Sequence, residues 1–172
     1  MAKTSARKGA RRAADIPREV LDALEHGDLQ TATLADGLAL NQSRLCAAVF
    51  PELDSEAMAL VTAAGELGIL KRMARIAEIL ASRFGFAGLA HCRSHASDTV
   101  RGWACFMIGA LDNCELPQRL ARIQPLADDD HFGVREWAWL ALRPHLAADL
   151  EQGIALLAGW TASPSERLRR FA

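Results

Sequence analysis

The sequence has no Tyr in its 172 residues, only 6 Pro and only 4 Cys. An extensive sheet needs stretches of β-branched and aromatic residues, and none is present. Ala, Leu, Arg and Glu are plentiful instead, and these lose little side-chain freedom on entering a helix. An all-α fold is therefore expected. Cys46, Cys92, Cys105 and Cys114 have neither the close pairing of a zinc knuckle nor the density of a secreted disulfide scaffold. They read as small buried apolar side chains in a reducing compartment. Near the N-terminus, Ala10, Ala13, Ala14 and Ile16 are interrupted by charge and form no apolar core of a secretory signal. No apolar run reaches the roughly 20 residues of a membrane crossing. A cytoplasmic location with no membrane partner is the expectation.

With 51% hydrophobic and 24% charged residues, the chain can bury a core and is too apolar for general disorder. It reads as a mobile basic arm over 1–15 followed by one helical-repeat domain over 16–172. The formal net charge of -1 is unevenly spread. Lys3, Arg7, Lys8, Arg11, Arg12 and Arg18 face only Asp15 at one end, and Arg167, Arg169 and Arg170 face only Glu166 at the other. Two basic ends thus flank an acidic middle, a pattern that offers a polyanion local attraction only.

Helix signals begin at Pro17, which suits a first helical position, and Ile16, Val20, Leu21 and Leu24 form an apolar stripe ended by His26-Gly27-Asp28. Short helices are predicted over about 31–39 and 42–49, and another follows Asp54 or Ser55 as cap and runs to Leu67. Leu70, Met73, Ile76, Ala77 and Leu80 then mark a buried face, with Lys71, Arg72 and Arg75 nearer solvent.

From Ser97 the chain repeats itself. Ser97-Asp98-Thr99-Val100-Arg101-Gly102-Trp103-Ala104 aligns with His131-Phe132-Gly133-Val134-Arg135-Glu136-Trp137-Ala138 and with Ser165-Glu166-Arg167-Leu168-Arg169-Arg170-Phe171-Ala172, each 34 residues on. Leu116, Leu120, Ile123 and Leu126 step by the same interval to Leu150, Ile154, Leu157 and Trp160. Two matching apolar faces at one offset define a two-helix repeat. Its first helix is predicted over about 99–111 and 133–146, and its second over 116–126 and 149–160. Loops at Asp128-Asp129-Asp130 and Ala162-Ser163-Pro164 follow, and Pro144 is expected to bend or end its helix. Such pairs cannot bury their apolar faces alone, so they are expected to stack into a curved α-solenoid of HEAT-like repeats. The third copy reaches Ala172 within its first helix. It reads either as a short cap or as a unit whose remainder follows.

Several residues are candidates for chemistry. Trp103, Trp137 and Phe171 fit packing between repeats. The recurring arginine fits either a structural bond across repeats or a phosphate contact. Arg167, Arg169 and Arg170 lie near a predicted helix start, where backbone N–H groups favour an anion. Trp139 cannot share a helix face with Trp137, so one of the two faces a neighbouring helix or an open surface, where an indole could stack on a base. His91 and His95 have i, i+4 spacing but lack a third ligand of distinctive spacing and a general-base Glu. Cys92 with His95 is an equally nonspecific pair, and the three aspartates lack a downstream oxygen-ligand pattern for a cation. No metal and no cofactor is assigned.

The run from Phe132 through His145, followed one repeat later by Trp160-x-x-Ser163-Pro164-Ser165-Glu166-Arg167-Leu168-Arg169-Arg170-Phe171-Ala172, resembles the HEAT-like DNA alkylation repair protein family over about 80–172. The resemblance implies a curved helical solenoid cradling duplex DNA. It also implies, for some members, a metal-independent glycosylase that hydrolyses the N-glycosidic bond of a cationic alkylated purine. Arg169 or Arg170 would then occupy the paired-arginine position that contacts the DNA backbone, with Arg135 and Trp139 as further DNA-binding candidates. The family's catalytic tryptophan and aspartate, four residues apart, have no counterpart: Trp139 precedes Arg143 and Trp137 precedes Ala141. The catalytic residues are therefore unassigned. Two readings stand side by side: a DNA-binding, alkylation-repair-like protein, and a non-enzymatic repeat scaffold for a protein or peptide. An unfinished last repeat would also suit a homodimer.

Overall fold

The computed structural model describes residues 9–172, and among these every regular element is helical. Lys3, Arg7 and Lys8 of the basic arm lie outside the described residues. The chain divides between Arg72 and Met73 into two compact units.

In the first unit, a 3-10 turn at Ala13–Asp15 precedes α1 (Arg18–His26), α2 (Leu34–Ala39), α3 (Gln42–Val49) and α4 (Ser55–Ala64). Each later start carries a side-chain cap for the orphan N–H groups of its first turn. Thr33 accepts from Asp36, Asn41 from Ser43 and Arg44, and Asp54 from Ala57. α1 and α4 both pack on α3, burying Leu24, Leu45, Cys46, Ala57 and Val61. Glu25 is also buried there. Its carboxylate is held by Arg44 at 2.5 Å and accepts the Asn41 N–H at 3.2 Å, as a charge withdrawn from water requires. Within the arm, the Ala10 carbonyl accepts the Thr33 hydroxyl at 2.9 Å.

The second unit opens on α5 (Ile69–Arg93), which starts just before the division. Met73, Ile76, Ala77 and Leu80 are buried along it while Lys71 and Arg75 are exposed, as their spacing predicts. Leu70 of the same stripe is exposed, however, and Arg72 is half-buried over the Gly65 and Leu67 carbonyls. Gly85 breaks this helix with φ 53 and ψ -134, a conformation closed to side chains bearing a Cβ. Then come α6 (Asp98–Gly109), α7 (Leu116–Ala127), α8 (Phe132–Ala148), α9 (Leu150–Thr161) and α10 (Glu166–Phe171). Helix and loop alternate at the predicted 34-residue interval. α8 differs in one respect: it continues through Pro144 to Ala148.

α6 is the centre of this unit, with Val100, Trp103, Ala104, Met107 and Ile108 all but fully buried. α8 packs against both α6 and α7. Gly102 lets the helices close: a Cβ there would sit 2.6 Å from Met73 Cε and 2.7 Å from Trp137 Cδ1. Trp137 fills the space beside it, its ring 5.9 Å from that of Phe106.

Candidate functional site

The repeated arginines make the same bonds in all three copies. Each lies in the first turn of its helix and turns back over the loop it has just left. Arg101 Nη1 donates to the carbonyls of His95 and Ala96, six and five residues earlier, both at 2.8 Å. Arg135 Nη1 donates to Asp129 and Asp130 at 2.7 and 2.9 Å, and Arg169 Nη1 to Ser163 and Pro164 at 2.7 and 3.0 Å. Loop carbonyls with no helical partner are thereby satisfied by a charged donor. Arg119 does similar work at the end of α6, donating to Ile108, Gly109 and Leu111 carbonyls at 2.6 to 2.8 Å.

The three aspartates between α7 and α8 form the junction of these contacts. Asp129 takes the Arg101 fork on both carboxylate oxygens, Nε at 2.8 Å and Nη2 at 3.1 Å, and Oδ1 also accepts the His131 N–H at 2.7 Å. Asp128 accepts the Ser165 hydroxyl at 2.5 Å, and its carbonyl accepts Arg167 Nη1 at 2.9 Å. Asp130 pairs with Arg167 Nη2 at 2.7 Å. The loop expected at these aspartates is present, and the fold engages each of their side chains, Asp130 from an exposed position.

The four sequence-derived candidates therefore have distinct surroundings. Arg135 is half-buried over the 128–130 loop, and Arg169 is exposed over the 162–165 loop. Trp139, also half-buried, meets Phe171 edge-on at 5.7 Å, and Trp160 packs on the same ring at 5.2 Å. Trp139 is thus joined to α10 by an aromatic cluster. Arg170 is exposed and, among the described residues, has no hydrogen-bonding or ion-pairing partner. Each clamp uses one nitrogen of its guanidinium, so Arg135 and Arg169 keep donors for a further acceptor.

No cluster of three His, Cys, Asp or Glu side chains among the described residues could hold a metal ion. His91 and His95 lie with ring centroids 5.6 Å apart, and His95 Nδ1 accepts the Ser97 N–H at 3.0 Å. Cys46 and Cys105 are buried, and burial raises both thiols, Cys46 to about 12. No helix among the described residues is long and apolar enough to cross a membrane.

Two surface features have no counterpart in the sequence reading. An open cleft of about 390 Å³ lies at the Gly85 break, walled by Phe86, Leu89 and Met107 with Glu78 and Asp112 at its sides. Glu78 is engaged by Arg75 at 3.0 Å. Arg122 lies over the ring of Phe86, 5.7 Å from its centroid. The second feature is on α9, where Leu150 and Ile154 are exposed although their spacing repeats the buried stripe of α7. No family model, curated protein or solved structure matches the chain.

Proposed function

We propose that this protein is a non-enzymatic helical-repeat scaffold whose HEAT-like pairs stack into a curved solenoid and bind a segment of another protein or a peptide. The observation that carries this reading is the division of labour along the repeat. The recurring arginines are directed at loop carbonyls and carboxylates of the chain itself, while large apolar side chains of α9 face solvent. Repeat arrays present extended surfaces of this kind to macromolecular partners.

A DNA-binding role resembling alkylation repair is the second reading. The exposed Arg170 beside Arg169, unpartnered among the described residues, favours it, together with the basic N-terminal end. Phosphate binding by such residues would fall steeply with salt.

The two readings separate in one pair of measurements on the full chain. A display library of random peptides is selected against the protein, and in parallel a labelled duplex, plain or N-alkylated, is titrated at low and moderate salt. Enrichment of peptides with saturable affinity, with no duplex binding at low salt, is the expected result. Salt-sensitive duplex binding weakened by Arg169→Ala with Arg170→Ala, and no enriched peptide, reverses the assignment.

A further inference from the structure

The residue before the first helix of each repeat, Ser97, His131 or Ser165, is its N-cap. In the later two copies this side chain meets two partners at once, and serine and histidine can serve them to different extents. Ser165 Oγ donates to the Asp128 carboxylate at 2.5 Å and accepts the Leu168 N–H at 3.4 Å. A hydroxyl has both a proton and lone pairs, so the two bonds stand together. His131 meets its two partners with the single atom Nδ1. That nitrogen accepts the Gly133 N–H at 3.2 Å and lies 3.5 Å from Asp98 Oδ2, in the first turn of α6. A ring nitrogen carries either a lone pair or a proton, so Nδ1 can cap α8 or donate to α6, but not both.

The surroundings make that choice matter. His131 and Asp98 are 8% and 3% exposed, so little water is at hand for the partner that is refused. Gly133 leaves room for the pair, since a Cβ there would stand 3.2 Å from Nδ1 and 3.7 Å from Asp98 Oδ2. Phe132 lies against the imidazole, with centroids 4.7 Å apart and planes tilted by 30°, and its face also suits a cationic ring.

We propose that His131 is a protonation switch at the joint between consecutive repeats, exchanging its bond to Gly133 of α8 for one to Asp98 of α6. With a lone pair on Nδ1 the ring caps α8, and the shorter of the two distances matches that state. As an imidazolium it donates to the carboxylate in a charge-assisted bond, and the Gly133 N–H loses its acceptor. The joint to α6 then tightens while the first turn of α8 loosens. Imidazoles change charge between about pH 5 and 8, which makes the exchange reachable under mild conditions.

The other charged groups of the neighbouring elements are engaged elsewhere. Arg101 of α6 and Asp129 of the connecting loop hold each other, and Asp129 Oδ1 accepts the His131 backbone N–H at 2.7 Å. The main chain of His131 is therefore fixed while its ring changes partner. Arg135 of α8 binds the Asp129 and Asp130 carbonyls, and Arg167 of α10 pairs with Asp130. In α7, Arg119 is bonded at the far end of α6 and Arg122 lies over Phe86. The second imidazole at this joint is His95, whose Nδ1 accepts the Ser97 N–H at 3.0 Å, one residue before Asp98.

The test is an NMR titration of the labelled full chain from pH 5 to 8.5, following the His131 ring nitrogens, the Gly133 amide and the Asp98 carboxyl carbon. As pH falls, Nδ1 should gain its proton, the Gly133 amide proton should move upfield as its bond is lost, and the Asp98 signal should move with the same midpoint. His131→Asn places a non-titrating amide oxygen where Nδ1 stands and remains a favoured cap. It should hold Gly133 at the bonded position throughout and abolish the shared transition, whereas His95→Asn should leave that transition in place. Circular dichroism checks that both variants are folded, and the wild-type spectra decide the matter if either is not. A ring that keeps one state across the range, or an Nδ1 already protonated at pH 8.5, overturns the switch. So do Gly133 or Asp98 signals that do not follow the ring, a response that survives His131→Asn, or one that His95→Asn removes.

Discussion

Arg101 and Asp129, 28 residues apart, meet through two parallel hydrogen bonds, Nε to Oδ2 at 2.8 Å and Nη2 to Oδ1 at 3.1 Å. Both side chains are largely withdrawn from solvent. The same arginine holds two carbonyls of the loop before α6, and the same aspartate caps the His131 N–H before α8. One ion pair thus ties the loops at either end of a repeat. Asp129→Ala leaves the guanidinium without its carboxylate in a site with little water, and about 3 kcal/mol of stability should be lost. Urea unfolding measures this. A loss under about 1 kcal/mol would show that Arg101 finds another acceptor.

Arg135 and Arg170 should respond differently to truncation. Arg135→Ala frees two loop carbonyls from a charged donor, and a loss of about 1–3 kcal/mol is expected. Arg170→Ala removes an exposed cation that has no partner among the described residues, and its effect on stability should lie within about 0.5 kcal/mol. Equal losses in thermal or urea unfolding would contradict the division between clamp and free cation.

The contrast between α7 and α9 also has an energetic signature. Leu120→Ala deletes a side chain from the packed side of α7 and should cost about 2–5 kcal/mol. Ile154→Ala, at the matching position of α9, should cost less than about 0.5 kcal/mol in the unliganded chain. Similar losses at the two positions would mean that the α9 face is covered in solution.

Gly102→Ala places a methyl group against the Trp137 ring and the end of Met73. The methionine can swing aside, but the indole is fixed between helices, so overpacking should cost about 1–3 kcal/mol. A neutral result in urea unfolding would show α6 and α8 to be more loosely apposed than their geometry implies.

The thiols give a dependence on pH. In the folded chain burial raises Cys46 to about 12 and also raises Cys105, against an ordinary value of 9.0. The folded state therefore retains protons that the unfolded chain releases. Stability from this source is complete below about pH 9 and declines as pH rises above it, by about 2 kcal/mol per thiol at about pH 10.5. Cys46→Ala should flatten the alkaline limb of a stability curve measured from pH 8 to 11. At neutral pH, iodoacetamide should modify the half-buried Cys114 first, with Cys46, Cys92 and Cys105 protected until the chain unfolds.

The helices of the second unit were largely legible because their apolar spacing recurs at a fixed interval. Val100, Val134 and Leu168 take up equivalent buried positions, and a periodic stripe followed by a turn signal is local information. The role of Arg101, Arg135 and Arg169 was half legible. Their recurrence is plain in the sequence, but the carbonyls they bind are main-chain atoms presented by loop geometry. Leu150 and Ile154 were misleading for a physical reason. Their spacing is identical to that of Leu116 and Leu120, but burial depends on what packs against a helix, which no property of α9 encodes. The break at Gly85 gave no signal either, since a lone glycine within a helical pattern is ordinarily tolerated.

The arginine clamp reaches only five and six residues back along the chain, so it is indifferent to what precedes the loop it fastens. Removing the block from Ser97 to Asp130 would bring His95 and Ala96 to the same distances before Arg135 that Asp129 and Asp130 now have. Duplicating that block would recreate the arrangement without any new fastening. An array built this way can change its copy number in evolution by whole-unit gain or loss, and every junction so formed arrives with its own latch.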